Sequence, residues 1–563
     1  MARRPTRDAN SCYFPRLIDG CLEDLLAEFP AVMVVGPRTV GKTRSSLRLA
    51  LDMVDLADDT ARDVFTADPQ AALRAVGEPV LLDEWQLVPG LAAAVKREVD
   101  LWGGTGRFLL AGSVSPDSLK DKWPFTGRVL SLSMEPMVGR EIVGHVSSQP
   151  FVERLAKADV KLLAPPDRAR FGQFDLDDYL RLAIVGGLPR SVLAKTEQTR
   201  SKWIADSYLE GLLGQEARWL GQVPEPGRFH RYLQVMANYS GRVAKDTSLY
   251  EAAEISRATA LRYDQLLERL FVTGDVPAWS ANRLKRLVKM PKRFLRDSSL
   301  MPAILGLSLG DFMRDGKLVG QLLETFVAAQ IRAELATIPR PPRMYHLRDG
   351  NGDREVDLIL EFPNGGVVGI EVKAGGLARS GDAKHLMWLR DQLGAKFICG
   401  VVLHTGMINE PLDDRIIGAP ISTIWMWDPV SLGESIYQVG QSRVRGLGAP
   451  TPDGEFIVFA GSVGQRGLLS SVEGEATGHK IERRRDDLLK RGVIASLDSR
   501  TFVFKRNWVF NAPSPPAELL FGGARSGPDV WANLETGLTL AGKKPGQRTK
   551  QTGGDAPVIG AGD

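Results

Sequence analysis

Ala31-Val32-Met33-Val34-Val35-Gly36-Pro37-Arg38-Thr39-Val40-Gly41-Lys42-Thr43-Arg44 decides the fold of the N-terminal part of this chain. An apolar, mostly β-branched run stops at a glycine, and a helix-compatible stretch follows from Lys42 to Ala50. The pattern predicts a buried strand, a tight loop and a helix. Gly36–Thr43 fits G-x-x-x-x-G-K-[ST] in full. In such a loop the glycines let successive backbone N–H groups turn inward, and the helix N-terminus adds partial positive charge, so phosphate oxygens are the suited ligand. Lys42 is then placed for the β- and γ-phosphates of ATP and the Thr43 hydroxyl for Mg²⁺. Gly36, Pro37, Arg38, Thr39, Val40 and Gly41 form the cradle, with Arg44 just inside the helix. The plainer alternative is a glycine-rich turn that binds nothing.

Downstream, Pro79-Val-Leu-Leu-Asp83-Glu84 is an apolar strand ending in two carboxylates. Behind a phosphate loop, Asp83 is expected to hold Mg²⁺ through water and Glu84 to polarise the attacking water. Without that loop, the same acids would only mark a strand end meeting solvent. Ser113, after Phe108-Leu-Leu-Ala111-Gly112, is a candidate γ-phosphate sensor, and Arg128 a candidate for neutralising transition-state charge in its own or a neighbouring subunit. Strands at Val80–Leu82, Phe108–Ala111 and Val129–Leu132, with a helix at Leu91–Trp102, predict an α/β domain with a mostly parallel sheet.

A second constellation lies in Arg354-Glu-Val-Asp357-Leu-Ile-Leu-Glu-Phe-Pro363-Asn-Gly365-Gly-Val-Val-Gly-Ile-Glu371-Val-Lys373. This reads as a β-hairpin turning at Asn364-Gly365, with Glu371 and Lys373 on one face. A three-residue loop, Pro363 to Gly365, would set Asp357 opposite Glu371, whereas a two- or four-residue loop would turn it away. If they converge, Asp357 and Glu371 suit Mg²⁺, Lys373 could orient or activate a water, and Glu324 on a preceding helix (Gly320 to Leu335) is a further metal ligand. The competing reading is an ordinary ion pair on an exposed sheet.

Between Arg283 and Arg296 stand Arg283, Lys285, Arg286, Lys289, Lys292, Arg293 and Arg296 with no acid among them. Upstream, Leu249–Ala253, Ser256–Leu270 and Phe271–Val276 read as helix, helix and β-ribbon. Such a unit could place Arg257, Arg262 and Tyr263 in a major groove. Equally, it could be a winged-helix module packed between domains, since a basic run is usually a solvated face.

With 563 residues the chain is too long for one core, and 43% hydrophobic with 25% charged residues is a folded, soluble balance. The 72 Lys+Arg against 68 Asp+Glu leave +4, so overall charge does not select nucleic acid. Three cysteines without a CxxC pair give neither a disulfide framework nor a zinc site. The basic start, Met1 to Pro5, lacks an apolar signal core, and no run reaches membrane length, so a cytoplasmic protein without membrane contact is expected. From Gly542 onward the sequence is too polar to fold.

Taken together, these residues resemble the bacterial and archaeal AAA-plus-like ATPases whose C-terminal half is a domain of unknown function with a restriction-endonuclease-like core. The likeness rests on Tyr13-Phe14-Pro15-Arg16, Gly36–Thr43, Leu82-Asp83-Glu84, Ala111-Gly112-Ser113, Gly127-Arg128, Gly186-Gly187-Leu188-Pro189, the segment from Lys285 to Lys292 and Gly369-Ile-Glu371-Val-Lys373. It implies Lys42, Thr43, Asp83 and Glu84 as nucleotide and Mg²⁺ residues, and Asp357, Glu371 and Lys373, with Glu324, as a nuclease-type signature. Asp297-Ser298-Ser299-Leu300 departs from the Asp-Thr-Gly-Leu turn usual there. A tail from about 455 to 541 is similar to a second small domain of unknown function.

The expected fold is α/β multidomain: a P-loop ATPase core (13–145), a helical extension (146–228), a winged-helix-like module (229–282), a restriction-endonuclease-like domain (283–440), a small α+β domain (450–541) and a disordered tail (542–563). Three functions stay open. The first is an ATP-hydrolysing switch or motor on or near nucleic acid, the second an ATP-gated Mg²⁺-dependent nuclease, and the third a non-hydrolysing nucleotide-dependent regulator. DNA or RNA, a protein client and a second copy of the chain are the candidate partners.

Overall fold

A computed structural model of the chain describes residues 13–113, 127–144, 146, 149–157, 174–212, 214, 225–282, 286, 289–349, 353–406, 409–425, 437–441, 444–450, 454–458, 462–491, 493–496, 500–504, 508–533 and 537–544. The expected tail beyond Lys544, and Arg283 and Lys285 of the basic run, lie outside the described residues. The chain divides into two compact units, Met1–Trp427 and Asp428–Asp563.

The first unit opens on a five-stranded sheet: β1 (Ala31–Val35), β2 (Asp52–Asp55), β3 (Val80–Asp83), β4 (Phe108–Gly112) and β5 (Val129–Ser133), in the order β2-β3-β4-β1-β5. Each neighbouring pair is parallel. Side chains alternate between faces, so Ala31, Met33 and Val35 join one apolar cluster and Val32 and Val34 another. Cover on both faces is why β1 is an unbroken apolar run. Truncating a residue such as Leu110, fully buried in β4, would cost about 2–5 kcal/mol. β2 had no place in the sequence reading. It is an edge strand, and only Val54 of its four residues is buried.

Beyond this sheet, helices dominate from Leu176 to Arg269. Pro226 at the first position starts one of them, and Ser256, accepting from the Thr259 N–H at 3.2 Å, starts another. The expected β-ribbon after Leu270 is reduced to isolated bridges, Thr273 to Leu295 and Val276 to Lys292, beside a short ladder of β6 (Arg242–Val243) with β7 (Lys292–Arg293). Tyr263 does not face outward as groove contact would need. It is buried and tilted against Phe229, with ring centroids 4.9 Å apart, because it lies on the apolar face of its helix.

The basic run is likewise not an open surface. Arg286 forks onto Glu361, Lys289 donates to the Arg348 carbonyl, Arg293 pairs with Asp275 and Asp246, and Arg296 lies 2.6 Å from Glu135. These cations neutralise carboxylates that are distant in sequence, and Lys292 and Arg293 are buried.

A second sheet carries β8 (Arg343–Arg348), β9 (Glu355–Glu361), β10 (Val367–Lys373), β11 (Phe397–His404), β12 (Glu410–Asp413) and β13 (Ile416–Pro420), ordered β12-β13-β11-β10-β9-β8. The preceding helix begins at Gly316, before the expected Gly320, because the Asp315 carboxylate caps the Lys317 N–H at 2.8 Å. Buried apolar residues from Phe151 to Trp425 form one contiguous cluster.

The second unit is an antiparallel sheet of eight strands between Tyr437 and Asn533, with helices Ala476–Lys490 and Ser514–Phe521. Its core includes Phe456, Phe502, Leu520 and Trp531.

Candidate functional site

The loop Gly36–Thr43 leaves the C-terminal end of β1 and enters the helix Lys42–Leu47. Gly36 has φ +155°, and a Cβ there would lie 2.2 Å from the Met134 carbonyl oxygen, so no other residue fits. Lys42 is 6% exposed, and its ammonium donates to the carbonyls of Gly36 at 3.0 Å and Pro37 at 2.7 Å. The cation is thereby held across the mouth of the loop. Arg16 braces the loop from behind, donating to the Val40 carbonyl at 2.7 Å and the Glu135 carbonyl at 2.8 Å, with Glu141 3.0 Å from its Nε. Within the Tyr13–Arg16 motif, sequence gave Arg16 no role of its own. Arg44 is exposed on the helix.

Parallel strands bring the other expected residues to the same edge of the sheet. β4 lies between β1 and β3, with Val35 beside Gly112 and Ala111 beside Asp83. Ser113, buried just past β4, therefore stands between the loop and the β3 carboxylates. Thr43 Oγ1 donates to Asp83 Oδ2 at 2.8 Å. Burial, and then the charges of Glu84 and Asp55, push the Asp83 carboxyl up to about 6 against the pull of Thr43 and Lys42. A hydroxyl and a carboxylate facing each other form a hard-oxygen pair that suits Mg²⁺, whose remaining ligands would come from phosphate and water. Glu84 has left-handed backbone, φ +50°, and accepts from the Gln86 side-chain amide. The turn carrying it folds over β4: a Cβ on Gly112 would lie 2.6 Å from the Gln86 amide oxygen. Such strain in a glutamate is of the kind that clusters at working sites.

Arg128 does not join them. It precedes Val129, which pairs with Ala31 at the start of β1, so it lies at the opposite edge of the sheet and pairs with Asp100 at 2.9 Å. The five-residue strand puts roughly 16 Å between the two edges. A role in its own subunit's site is excluded by strand direction.

In the second sheet, Val367 faces Glu361 and Ile370 faces Leu358, the register of a three-residue loop at Pro363–Gly365. The next pair along is Asp357 with Glu371. Both are buried, and Lys373 lies 2.9 Å from Glu371. The expected carboxylates thus converge, but an unexpected residue stands among them. The buried Lys292 ammonium is 2.6 Å from Glu324 and 2.9 Å from Asp357. Asp357 spends its other oxygen on the Val372 N–H at 2.9 Å. Burial alone would raise Asp357, but Lys292, Lys373 and that N–H outweigh it and hold it below the usual range. Glu371 and Glu324 are both raised, by burial and by the Asp357 charge.

Among the described residues no group of three or more His, Cys, Asp or Glu side chains is arranged to hold a metal ion. The expected Mg²⁺ set of Glu324, Asp357 and Glu371 is corrected accordingly, because an ammonium fills the place between the first two. Lys292 had been read only as part of a basic run.

Residues 28–143 match the family model of an AAA domain. Residues 176–311, 319–424 and 437–543 match three domains of unknown function (DUF8612, DUF4143 and DUF4357). The chain is 27% identical over 406 residues to uncharacterized proteins of Mycobacterium bovis and Mycobacterium tuberculosis, covering 72% of this chain and 82% of each of them. A solved structure, the Walker-type ATPase PABY2304 of Pyrococcus abyssi, aligns at TM-score 0.31 and 14% identity over 54% of this chain and 98% of that one, too slight a likeness to bear on the assignment. Among the described residues no helix is long and apolar enough to cross a membrane. With the loop, the β3 carboxylates and an all-parallel sheet inside the matched segment, residues 28–143 contain a P-loop ATPase domain of AAA type.

Proposed function

We propose that this chain binds ATP with Mg²⁺ across Gly36–Thr43, hydrolyses it, and uses the bound state as a switch read by the rest of the first unit. The observation that carries this reading is the contact of Thr43 with Asp83 at 2.8 Å beside a Lys42 ammonium held over the loop mouth. Backbone N–H groups and Lys42 bind the phosphates, Thr43 and Asp83 hold Mg²⁺, and Glu84 orients the water that displaces ADP. Mg²⁺, when bound, neutralises charge on the β- and γ-oxygens. Ser113 senses the γ-phosphate from β4. Contacts such as Arg296 with Glu135 give the switch a path out of the ATPase part (13–145) toward the helical extension (146–228), the winged-helix-like module (229–282) and the restriction-endonuclease-like part (283–440). With the basic run largely spent on internal carboxylates, a protein client or a second copy of the chain is favoured over DNA or RNA as the partner.

Lys42→Ala tests the reading: the full chain should bind Mg²⁺–ATP and the variant should not. Retained affinity would remove the loop assignment. The second reading, an ATP-gated nuclease, is favoured by the convergence of Asp357, Glu371 and Lys373 and opposed by Lys292 in the cation position. Failure of the parent to cut DNA or RNA with Mg²⁺ and ATP would end it.

A further inference from the structure

Beside the loop lies a cavity of about 610 Å³. Arg38 and Thr39 line it from the loop, and Arg190, Trp203, Asp206 and Tyr208 from the helical extension. Trp203, Asp206 and Tyr208 sit on a π-helical stretch, Trp203–Leu209, a rare geometry that recurs at functional sites. Arg190 is exposed, and among the described residues no carboxylate pairs with it.

Arg190 is not placed loosely. It follows the turn Gly186-Gly187-Leu188-Pro189, whose use the sequence did not reveal. Gly187 accepts from the Met137 N–H at 2.7 Å and donates its own N–H to Asp297 at 2.7 Å. A Cβ on Gly187 would lie 2.1 Å from the Met137 carbonyl oxygen. Three residues before Met137, Met134 packs against Gly36 and donates its N–H to the Val35 carbonyl at 2.7 Å. One short segment therefore holds the phosphate loop on one side and the Arg190 turn on the other.

The direction of the phosphates follows from Lys42. Its ammonium, which reaches β- and γ-phosphates, sits over the Gly36 and Pro37 carbonyls, next to Arg38. The cavity beyond Arg38 and Thr39 is therefore on the side of the terminal phosphate. Arg128, the arginine expected there, is at the far edge of the sheet. Resting on the ATP-binding reading above, we propose that Arg190 contacts the γ-phosphate of a nucleoside triphosphate across this cavity, so that the helical extension distinguishes ATP from ADP and supplies transition-state charge within the same subunit. Asp206 disfavours an anion on its own wall and leaves Arg38 and Arg190 as the cations that meet it.

The test is equilibrium binding of ATP and of ADP, each with Mg²⁺, and steady-state turnover, on the full chain and on its Arg190→Ala, Arg190→Lys and Lys42→Ala variants. Arg190→Ala should lose about 10- to 100-fold in ATP affinity, the worth of a charged hydrogen bond, with ADP affinity changed less than about twofold and kcat reduced. Arg190→Lys should recover part of the ATP preference. Parallel changes for ATP and ADP, or none, would overturn the proposal. Lys42→Ala retaining the parent's affinity for both nucleotides is a separate outcome, in which the loop reading itself fails. Should Arg190→Ala not fold, Arg190→Gln, which keeps most of the stem, gives the same comparison.

Discussion

Lys292 and Asp357 form a buried ion pair at 2.9 Å, with the lysine 1% exposed. Burial disfavours the ammonium, yet Asp357, Glu324 and Glu355 together hold its proton on more firmly than in water. The pair ties the short β6–β7 ladder to the second sheet, so it is both an internal counter-charge and a bolt between elements.

Removing one partner leaves the other charge buried and unpaired. Lys292→Met should therefore destabilise the chain by about 3–5 kcal/mol in urea unfolding. Adding Asp357→Asn to that variant should restore part of the loss, since the stranded carboxylate disappears. Equal, additive losses would show that the two residues do not act on each other.

Glu84 can be separated from the binding residues. Its carboxylate is held by Gln86 and its backbone is set by the turn over Gly112, so Glu84→Gln should leave ATP affinity close to the parent's. Turnover should drop by roughly 10²–10⁴-fold if the carboxylate activates or orients water. Unchanged turnover in a steady-state phosphate-release assay would take that role from it.

What could be read from sequence follows from how local each feature is. Ala31–Val35 announced itself because a strand covered on both faces must be apolar throughout, and the Asp357–Glu371 register was contained in the loop length at Pro363–Gly365. β2 escaped notice because an edge strand needs only one buried residue. Lys292 was hidden among other cations, and its carboxylate partners come from elements that only tertiary packing brings near. For Arg128 the residue type was legible but the sheet edge was not, as that depends on which strands run beside β1. The Arg190 cavity needed the Met134–Met137 segment, whose neighbours on both sides are remote in sequence.

Gly187 offers a test of that segment. An added methyl would meet the Met137 backbone at 2.1 Å, and backbone cannot swing aside as a side chain can. Gly187→Ala should cost about 1–3 kcal/mol or more by urea unfolding. It should also weaken ATP relative to ADP, since it displaces the turn that positions Arg190. A stable variant with the parent's ATP preference would mean that the turn is not held as described.

His346 gives the acid limb of stability. On β8 it is 1% exposed, and its Nε2 lies 3.1 Å from the Met290 carbonyl oxygen. Burial pushes its pKa down from 6.5 to about 4, with Lys292, Lys289 and Arg348 adding repulsion against the Met290 contact that favours the charged form. Above pH 6.5 the ring is neutral in both folded and unfolded chains, and the group adds no pH dependence. Between pH 6.5 and about 4 the unfolded chain binds a proton that the folded chain refuses, so stability falls as pH falls. The loss approaches about 3 kcal/mol once pH is below the folded value. Urea midpoints across that range should decline in the parent and decline less in His346→Gln, whose side chain cannot take up the proton. Matching slopes for the two proteins would place the acid sensitivity elsewhere.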